Sequence, residues 1–413
     1  MEYKKPKGTR DILPTDIAKW QRMENSAKQF AKLYNCKEIR TPVFEDAKLF
    51  LRSVGEGTDI VSKEMYIFKD KAERELALRP EGTAGVVRAF VENGLFNMPL
   101  PLKLYYIGSN FRYENPQAGR YREFAQFGVE CFGNSNPLAE VEVMQLATRY
   151  LESLDIKGIK LAINSIGCEE CRAKYIQALK DFVEQNLNKF CNDCKYRYKT
   201  NPLRILDCKN EICQDVLKNA PKLKDYLCDD CKEHFEKVKE LLTENNVKYE
   251  VTENLVRGFD YYTKTVFEFI CEDFDGKSIA VGGGGRYDNL VEELGGGKVP
   301  CVGFAMGLDR MVMLMQEEQL DVDVYLINAG NVACDKLYNI ASKLRDNNIS
   351  VECNLSDRSV KAQFKFADKL NAKYVCVLGD DELLNNEITV KNMQTKEEKK
   401  VELSNLINFL KND

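Results

Sequence analysis

Two β-rich, aromatic runs between Lys103 and Gly133 constrain the possible folds of this 413-residue chain more than any other segment. Pro116 and Gly119 interrupt the runs, so the segment predicts two antiparallel strands joined by a long loop. The second run has apolar residues at the odd positions 125–131, and glutamine, glycine and glutamate at the even positions between them. Side chains alternate between the two faces of a strand, so we expect one apolar face and an opposite polar face.

The polar face of the predicted hairpin would bring Arg112, Gln126 and Glu130 together. The loop that joins the two strands adds Arg120 and Arg122. Such a cluster can belong to an ordinary surface hairpin or to a site that binds an anionic ligand. The pattern of the hairpin alone leaves both interpretations open.

Histidine occurs once in the chain, at His234. A serine–histidine triad or a histidine proton relay would have to include this residue, and an HExxH zinc site needs a second histidine. The surrounding sequence CKEHFEK is typical of a charged helix, so we expect a solvent-facing side chain.

A GxxxxGKS/T motif is absent, which argues against a P-loop nucleotide site. The chemistry must then rest on arginines, carboxylates and the backbone, which suits phosphoryl and acyl transfer.

The sequence also indicates where the protein is located and which kinds of partner it can have. No apolar run is long enough to span a bilayer, and the N-terminal MEYKKPKGTRDILP has no apolar signal core. We therefore expect a cytoplasmic protein without a membrane partner. Because the net charge is −5, the surface as a whole does not attract nucleic acid, and an RNA partner would be held by local basic patches.

Fifteen cysteines without a secretion signal indicate reduced thiols or metal ligands rather than disulfides. Many of them fall in a charged, helix-rich segment from residue 168 to residue 246, which we interpret as an insertion because β-rich sequence resumes after it. Two C-x2-C pairs, Cys168/Cys171 and Cys191/Cys194, stand nineteen residues apart and match a tetrathiolate zinc pattern. We predict one structural Zn²⁺ ion on these four thiols, with free thiols as the alternative.

Three further segments carry polar residues beside glycine turns. In LALRPEGTAG a strand runs into a helix, and Glu81 and Thr83 at the junction either cap the helix or contact a ligand. In LVRGFDYY, Arg257, Tyr261 and Tyr262 crowd a turn that enters a strand. The strand IAVGGGGRYD contains four successive glycines, which favours a ligand that lies against bare backbone.

Two features of the remaining chain bear on nucleotide and RNA binding. Arg310 lies in the first turn of a predicted helix, where the helix dipole disfavours a cation, so stacking on a nucleobase would explain it. From about residue 321 the sequence alternates βαβαβ, which predicts a small α/β domain with a parallel sheet. Its helix Lys361–Leu370 carries a lysine at every fourth position, a stripe that is solvated by default and that suits an RNA backbone.

Seven segments, in order along the chain, resemble the class II aminoacyl-tRNA synthetases and in particular the histidyl-tRNA synthetase family: KGTRDILP, EIRTPVFE, LRPEGTAG, FRYENPQAGRYREF, LVRGFDYY, GGGRYD and GFAMGLDR. The resemblance implies an α+β fold, with a class II synthetase antiparallel-sheet catalytic core, a helical insertion and a C-terminal α/β anticodon-binding domain. It also implies a homodimer formed through EIRTPVFE. The domains would be 1–167 and 247–320 for the core, 168–246 for the Cys-rich insertion and 321–413 for anticodon binding.

The resemblance implies an enzyme that activates L-histidine with ATP and transfers it to the 3′ end of tRNA(His), with Mg²⁺ accompanying ATP. In this arrangement Arg112 and Arg257 hold the α-phosphate from two sides, and Arg257 stands where related enzymes use a metal ion. The residues placed on ATP in this way are Arg112 and Glu114, Arg120 and Arg122 on the outer phosphates, and Arg310 on adenine.

A histidine pocket is implied as well. Glu130 and Tyr262 would each take one imidazole nitrogen, with Tyr261 close by. The other implied contacts are Glu81, Thr83 and Gln126 on the ammonium group, Arg257 beside the substrate, and Gln117 on the acceptor end of the tRNA. The chain departs from the family pattern at Ala125, where many relatives carry histidine, and at Asp309, where glutamate is commoner.

Two other functions compete with the enzyme. The regulatory, synthetase-like subunit of ATP phosphoribosyltransferase shares the core fold but binds and regulates without catalysis. Such paralogues usually lack the C-terminal domain and erode LVRGxDYY, and this sequence retains both. A zinc-binding RNA chaperone built on the cysteine insertion is the second competitor. It predicts that chelation of metal abolishes RNA binding, whereas loss of Arg257 does not.

Overall fold

The computed structural model describes residues 3–54, 58, 60–206, 208, 210–318, 322–329, 334–354 and 358–412. The chain divides into two compact units, Met1–Gln316 and Glu317–Asp413, called unit 1 and unit 2 below. The predicted domain boundary between residues 320 and 321 lies outside the described residues. Among the described helices, none combines the length and the apolar character needed to cross a membrane.

Unit 1 is built from eleven strands and ten α-helices in its described part. Its strands are β1 (Lys37–Glu38), β2 (Phe44–Asp46), β3 (Ile67–Lys69), β4 (Glu75–Leu78), β5 (Leu102–Phe111), β6 (Glu123–Phe132), β7 (Lys160–Gly167), β8 (Glu250–Val251), β9 (Thr263–Glu272), β10 (Ser278–Arg286) and β11 (Cys301–Gly307). Its helices are α1 (Ile17–Leu33), α2 (Ala47–Val54), α3 (Thr83–Glu92), α4 (Leu138–Ser153), α5 (Glu169–Gln185), α6 (Asn192–Thr200), α7 (Glu211–Leu217), α8 (Asp229–Glu244), α9 (Leu290–Glu293) and α10 (Leu308–Met311).

The main sheet of unit 1 has eight strands in the order β1-β5-β6-β11-β10-β9-β7-β8. The six central strands pair antiparallel, and only the short edge strands β1 and β8 pair parallel with their neighbours. Strands β2, β4 and β3 form a separate three-stranded sheet. The predicted antiparallel core is confirmed.

The hairpin β5–β6 has the predicted alternation. Its register sets Gly108 opposite Gln126 and Ser109 opposite Ala125. The odd-numbered residues of β6 enter the main apolar core beside α1 and α4, and its even-numbered residues face the other way. Burial of one face fixes the register, because a slip by one residue would turn every apolar side chain to the polar side.

In unit 1 the N-terminal segment forms a helix and two short strands, and one predicted environment, that of His234, is wrong. The first helix runs from Ile17 to Leu33. After this helix the chain forms two short strands, β1 and β2, separated by a stretch that contains Pro42, which cannot donate to a strand ladder. The prediction that His234 faces solvent was wrong. Its ring is buried, and its Nε2 atom lies 2.5 Å from Glu140 Oε1.

The environment of Glu140 explains why a charged helix buries a histidine. Helix α8 packs against α4, and Glu140 is fully buried there between His234 and Arg286. Burial by itself would raise the pKa of Glu140, but the hydrogen bonds from His234 and Arg286 bring it below the usual value. The charged neighbours of His234 in sequence face solvent, whereas its partner is 94 residues away.

Unit 2 contains β12 (Val324–Asn328), β13 (Val351–Cys353), β14 (Tyr374–Leu378), β15 (Glu387–Asn392) and β16 (Glu398–Glu402), with helices α11 (Cys334–Arg345), α12 (Val360–Lys369), α13 (Asp380–Leu384) and α14 (Leu406–Asn412). The sheet order is β13-β12-β14-β15-β16, parallel over the first three strands and antiparallel over the last two. This is the predicted parallel α/β sheet with an added hairpin. The three lysines of the α12 stripe are exposed.

Candidate active site

An open cavity of about 430 Å³ lies on the polar face of β6, β10 and β11 in unit 1. It brings together segments that are as far apart in sequence as residues 81 and 310. Eleven of the predicted site residues line it: Glu81, Thr83, Arg112, Glu114, Arg120, Gln126, Glu130, Arg257, Tyr261, Tyr262 and Arg310.

Arg112 leaves the end of β5 and lies in the cavity wall. Its Nε atom donates to the carbonyl of Pro80 at 2.8 Å, and its guanidinium lies 5.1 Å from the centre of the Phe124 ring. Burial lowers the pKa of Arg112, but an arginine in a protein remains protonated. In the described part of the chain only its Nε atom donates a hydrogen bond, so the terminal nitrogens of this half-buried cation are available to a ligand.

Arg257 approaches the same cavity from the turn before β9. Its Nη1 atom lies 2.9 Å from Glu268 Oε1, and its Nε atom is buried with no hydrogen-bond partner in the described residues. Gly283 leaves room for the guanidinium of Arg257, because a Cβ atom at position 283 would lie 2.8 Å from Arg257 Nη1. The glycine strand therefore makes room for an arginine as well as for a ligand.

Arg310, Arg120 and Glu114 form one end of the cavity. The Nη1 atom of Arg310 donates to the carbonyl of Ala280 at 2.5 Å, which fixes the side chain at the start of α10. Burial and the nearby Arg120 guanidinium lower the pKa of Arg310. Arg120 Nη1 lies 3.8 Å from Glu114 Oε2 on the more open side. This end carries positive charge suited to the phosphates of a nucleotide.

Arg122 does not join this group, contrary to the placement implied by the family resemblance. Its guanidinium lies 3.7 Å from the centre of the Tyr113 ring, and its Nε atom donates to the carbonyl of Glu114 at 3.3 Å. Its backbone N–H donates to the carbonyl of Gly8 at 2.7 Å. The side chain thus packs the loop against the N-terminal segment and is absent from the residues that line the cavity.

Glu130 is a buried carboxyl group surrounded by hydroxyl groups. Its Oε1 atom accepts from Thr83 Oγ1 at 2.7 Å and from the Tyr106 hydroxyl at 3.3 Å, and its Oε2 atom accepts from the Tyr287 hydroxyl. Burial raises the pKa of Glu130 to about 8 despite these donors. Gly303 lies opposite on β11, where a side chain would collide with the carboxylate.

At Glu81 the two alternatives that the sequence left open, a helix cap and a ligand contact, are compatible. Its carboxylate accepts from the backbone N–H groups of Thr83 at 2.6 Å and of Ala84 at 2.8 Å, so it caps α3. It also lines the cavity, and burial raises its pKa. The Thr83 hydroxyl does not cap the helix but donates to Glu130. Gln126 Oε1 accepts from Asn110 Nδ2 at 2.8 Å, which orients its amide group.

Of the remaining positions that the sequence singled out, Asp309 lines the cavity and Gln117 does not. Gln117 is exposed in the loop and pairs through its backbone with Arg120. Asp309 accepts from Arg10 Nη2 at 2.6 Å and from the backbone N–H of Ala125 at 2.7 Å. Burial raises the pKa of Asp309. Its carboxylate joins the start of α10 to β6 and to the N-terminal segment.

Among the cavity-lining residues that sequence reasoning missed are Tyr287, Phe259 and Glu268. Tyr287 donates to Glu130, and Glu268 pairs with Arg257. Tyr287 belongs to the quoted segment GGGRYD, so an aromatic hydroxyl directly after the glycine strand was the available signal. The partner of Arg257 follows it by 11 residues, a spacing that no periodicity indicates.

The cysteine insertion groups its thiols differently from the prediction. The sulfur atoms of Cys168 and Cys171 lie with those of Cys228 and Cys231, and the sulfur atoms of Cys191 and Cys194 lie with those of Cys208 and Cys213. The predicted single quartet of Cys168, Cys171, Cys191 and Cys194 is therefore wrong in its grouping. Spacing identifies C-x2-C pairs, but the helices between them decide which pairs meet.

An antiparallel six-stranded core, with arginines from separate segments around one polar cavity, is the architecture of a class II aminoacyl-tRNA synthetase. The family model for Histidyl-tRNA synthetase matches residues 8–311, and the model for the Anticodon binding domain matches residues 323–413. A histidine–tRNA ligase of Halothermothrix orenii is 48% identical over 413 residues, covering 98% of this chain and 98% of that protein. The chain belongs to the histidyl-tRNA synthetase family.

Solved structures give the same result. The crystal structure of apo histidyl-tRNA synthetase from S. aureus matches with a TM-score of 0.82 at 39% identity, covering 99% of this chain and all of that one (100%). A Bacillus halodurans C structure, titled an ATP phosphoribosyltransferase regulatory subunit/histidyl-tRNA synthetase, covers 92% of this chain and 99% of that one with a TM-score of 0.68. Its identity is only 22%, so this second likeness shows the fold alone.

Proposed function

We propose that the cavity of unit 1 activates L-histidine with ATP to histidyl-adenylate and transfers the histidyl group to the 3′ end of tRNA(His). One observation carries the proposal. Arg112 and Arg257, which are far apart in sequence, line the same cavity as the buried carboxyl group of Glu130. The first two residues can stabilise a phosphate, and the third can recognise the side chain of the amino acid.

In the activation step the carboxylate of histidine attacks the α-phosphorus of ATP, and pyrophosphate leaves. Negative charge develops on the α-phosphate oxygens, and fixed cations that face those oxygens stabilise the transition state. Arg112 and Arg257 are held in place by Pro80 and Glu268 respectively, so little reorganisation is needed. We assign the outer phosphates to Arg120 and the adenine ring to Arg310. Arg122 has no part in this assignment.

Mg²⁺ accompanies ATP in this proposal. Magnesium takes oxygen ligands and is usually bound through one or two carboxylates together with substrate phosphates. Glu114 is the carboxylate of the cavity wall that fits this donor set, because Glu268 is already paired with Arg257 and Asp309 is engaged by Arg10 and Ala125. When bound, the ion would neutralise charge on the outer phosphates.

Glu130 supplies the selectivity for histidine in this proposal. A carboxylate offers about four lone-pair sites, and three hydroxyl groups occupy three of them. The remaining site would accept the N–H of the imidazole, and the Tyr262 hydroxyl would donate to the other ring nitrogen. The ammonium group would meet Glu81, Thr83 and Gln126 on the adjoining wall.

In the second step a ribose hydroxyl of the tRNA attacks the carbonyl carbon of the adenylate, and AMP leaves. The only histidine of the chain is buried against Glu140, so it cannot serve as the base. A phosphate oxygen of the adenylate would accept the proton. We assign the acceptor end of the tRNA to Gln117 and the tRNA backbone to the exposed lysine stripe of α12 in unit 2.

We further propose a cytoplasmic homodimer. The segment EIRTPVFE ends on β2, where Phe44 is exposed, and Ile67 and Phe68 on β3 are exposed in the same three-stranded sheet. The rings of Phe44 and Phe68 lie 6.3 Å apart. Several large exposed apolar side chains on one small sheet are typical of a protein interface.

Histidine-dependent pyrophosphate–ATP exchange tests the proposed activity. We expect exchange that requires L-histidine and is abolished when histidine is omitted. Absence of exchange with the pure, folded chain would contradict the proposal and favour the regulatory-subunit alternative. Aminoacylation of tRNA(His) tests the second step separately.

A further inference from the structure

Eight of the fifteen cysteines form two compact groups inside the insertion. The outer group contains Cys168, Cys171, Cys228 and Cys231, and the inner group contains Cys191, Cys194, Cys208 and Cys213. Within each group the four sulfur atoms lie within 4.8 Å of one another. All fifteen cysteines have free thiols. The inner group is nested in sequence between the two halves of the outer group.

The sulfur separations match a tetrahedral metal site. Zinc–sulfur bonds of about 2.3 Å at tetrahedral angles place the sulfurs roughly 3.8 Å apart, whereas a disulfide requires about 2.05 Å. The sulfurs of Cys168 and Cys171 are 3.5 Å apart, and those of Cys191 and Cys208 are 3.8 Å apart. Tetrahedral sets of four sulfur ligands are typical of Zn²⁺.

The backbone around each group is arranged to stabilise thiolates. The N–H of Cys228 donates to the Cys171 sulfur at 3.1 Å, and the N–H of Cys191 donates to the Cys213 sulfur at 3.2 Å. Three of the cysteines stand at the N-termini of the helices α5, α6 and α8, where the helix dipole favours negative charge. Such outer contacts orient metal ligands and hold their charge.

We propose that the insertion binds two structural Zn²⁺ ions, one on each group. The outer ion would join the end of β7 to the start of α8 and so close the insertion at its base. The inner ion would hold together α6, α7 and the segment between them. Four thiolates fill a tetrahedral shell, so neither ion would have an open position for catalysis.

The two sites also adjoin the loop that carries the tyrosines of the cavity. Arg172, next to an outer ligand, donates from Nη1 to the carbonyl of Tyr262 at 2.7 Å and to that of Asp260 at 3.2 Å. Arg204, between inner ligands, donates from Nη2 to the carbonyl of Gly258 at 2.8 Å. Asn201 Nδ2 donates to Asp260 Oδ1 at 3.1 Å. Each proposed ion would therefore position donors that hold this loop.

Metal content of the full chain tests the two sites. We expect two zinc ions per chain by elemental analysis and by native mass spectrometry of protein prepared without chelator or a polyhistidine tag. Cys171→Ser and Cys213→Ser should each lower the content to one, and Cys334→Ser, an exposed cysteine outside both groups, should leave it at two. Zinc-free protein with fifteen reactive thiols, a single zinc ion, or iron in place of zinc would overturn the proposal. The measurement on the unaltered chain decides the matter even if a variant fails to fold.

The positioning role rests on the proposed function and has a separate test. We expect Arg172→Ala to raise the KM for histidine about tenfold, since a charged hydrogen bond to the loop is lost, with the KM for ATP and the zinc content unchanged. Lys174→Ala on the same helix is exposed and should change neither constant. An unchanged KM for histidine in Arg172→Ala would refute the positioning role. If the unaltered chain shows no exchange at all, the proposed function fails while the zinc count stands.

Discussion

The cavity and the cysteine insertion both join segments that are distant in sequence, but different forces hold them. In the cavity, Gln126 and Glu130 point inward because β6 is locked by a hydrogen-bonded ladder and by an apolar face on its other side. The insertion consists of helices, three of which begin at a cysteine of the two thiol groups. A side chain that only faces the cavity, such as Arg257, can therefore be removed at the expense of function, whereas a cysteine ligand supports the local fold first.

The largest effect that we expect concerns the recognition of histidine by Glu130. An analogue of histidine with a thiophene in place of the imidazole lacks both the N–H and the ring acceptor, and it leaves Glu130 and Tyr262 unpaired. We expect its kcat/KM in pyrophosphate exchange to be about 10⁴-fold lower than that of histidine. Discrimination below about tenfold would mean that the ring is read by shape alone and would remove Glu130 from the site.

Arg257 gives the next largest effect. Arg257→Ala should lower the rate of adenylate formation by about 10²–10³, because a preorganised cation at the α-phosphate is lost. The melting temperature should stay close to that of the unaltered chain, since the side chain lies at the wall of an open cavity. Single-turnover kinetics and a thermal melt check both points, and Lys277→Ala on an exposed turn is the matched control. Near-normal adenylate formation would contradict the assigned role.

The pH dependence of histidine affinity is expected to be smaller. The pKa of Glu130 is raised to about 8 by burial, so the free carboxyl group is mostly protonated at neutral pH. An imidazole N–H favours the carboxylate, so binding releases a proton and affinity rises with pH. We expect a roughly tenfold gain between about pH 6.5 and pH 8, by calorimetry. Glu130→Gln should flatten the curve, and an affinity that falls across this interval would show that the complex retains the proton.

The smallest effects that we expect come from a comparison of alanine substitutions at Arg120 and Arg122. Arg120→Ala should raise the KM for ATP about tenfold, because it loses a charge-assisted contact with the outer phosphates. Arg122→Ala should change that KM less than about threefold but lower the free energy of unfolding by about 1 kcal/mol, through the loss of its stacking on Tyr113. Equal effects of the two substitutions on the KM would restore Arg122 to the phosphate site.

Periodicity predicted those parts of the site that a single strand or helix fixes. The two faces of β6 followed from the alternation between Phe127 and Glu130, and the position of Glu81 followed from the junction of a strand with a helix. The resemblance of the motifs supplied what periodicity cannot, namely that Arg257 reaches the cavity of Arg112. Strand parity says which way a side chain points, but not which distant strand lies beside it.

The errors share one physical cause. His234 is buried because of Glu140, Cys171 meets Cys228 and not Cys191, and Tyr287 turns toward Glu130. Each depends on a contact between elements far apart in sequence, formed by packing that leaves no local pattern. For Arg122 the error came from the family resemblance and not from a local pattern. The resemblance places this residue on the outer phosphates, whereas its guanidinium packs on Tyr113 and its backbone binds the N-terminal segment.

A crystal structure with a non-hydrolysable analogue of histidyl-adenylate tests the central proposal most directly. We expect the α-phosphate oxygens within about 3.2 Å of guanidinium nitrogens of both Arg112 and Arg257, with the imidazole N–H on the carboxylate of Glu130. An α-phosphate that contacts only one of the two arginines would contradict the proposal. So would an imidazole bound away from Glu130 while its hydroxyl partners still enclose the carboxyl group.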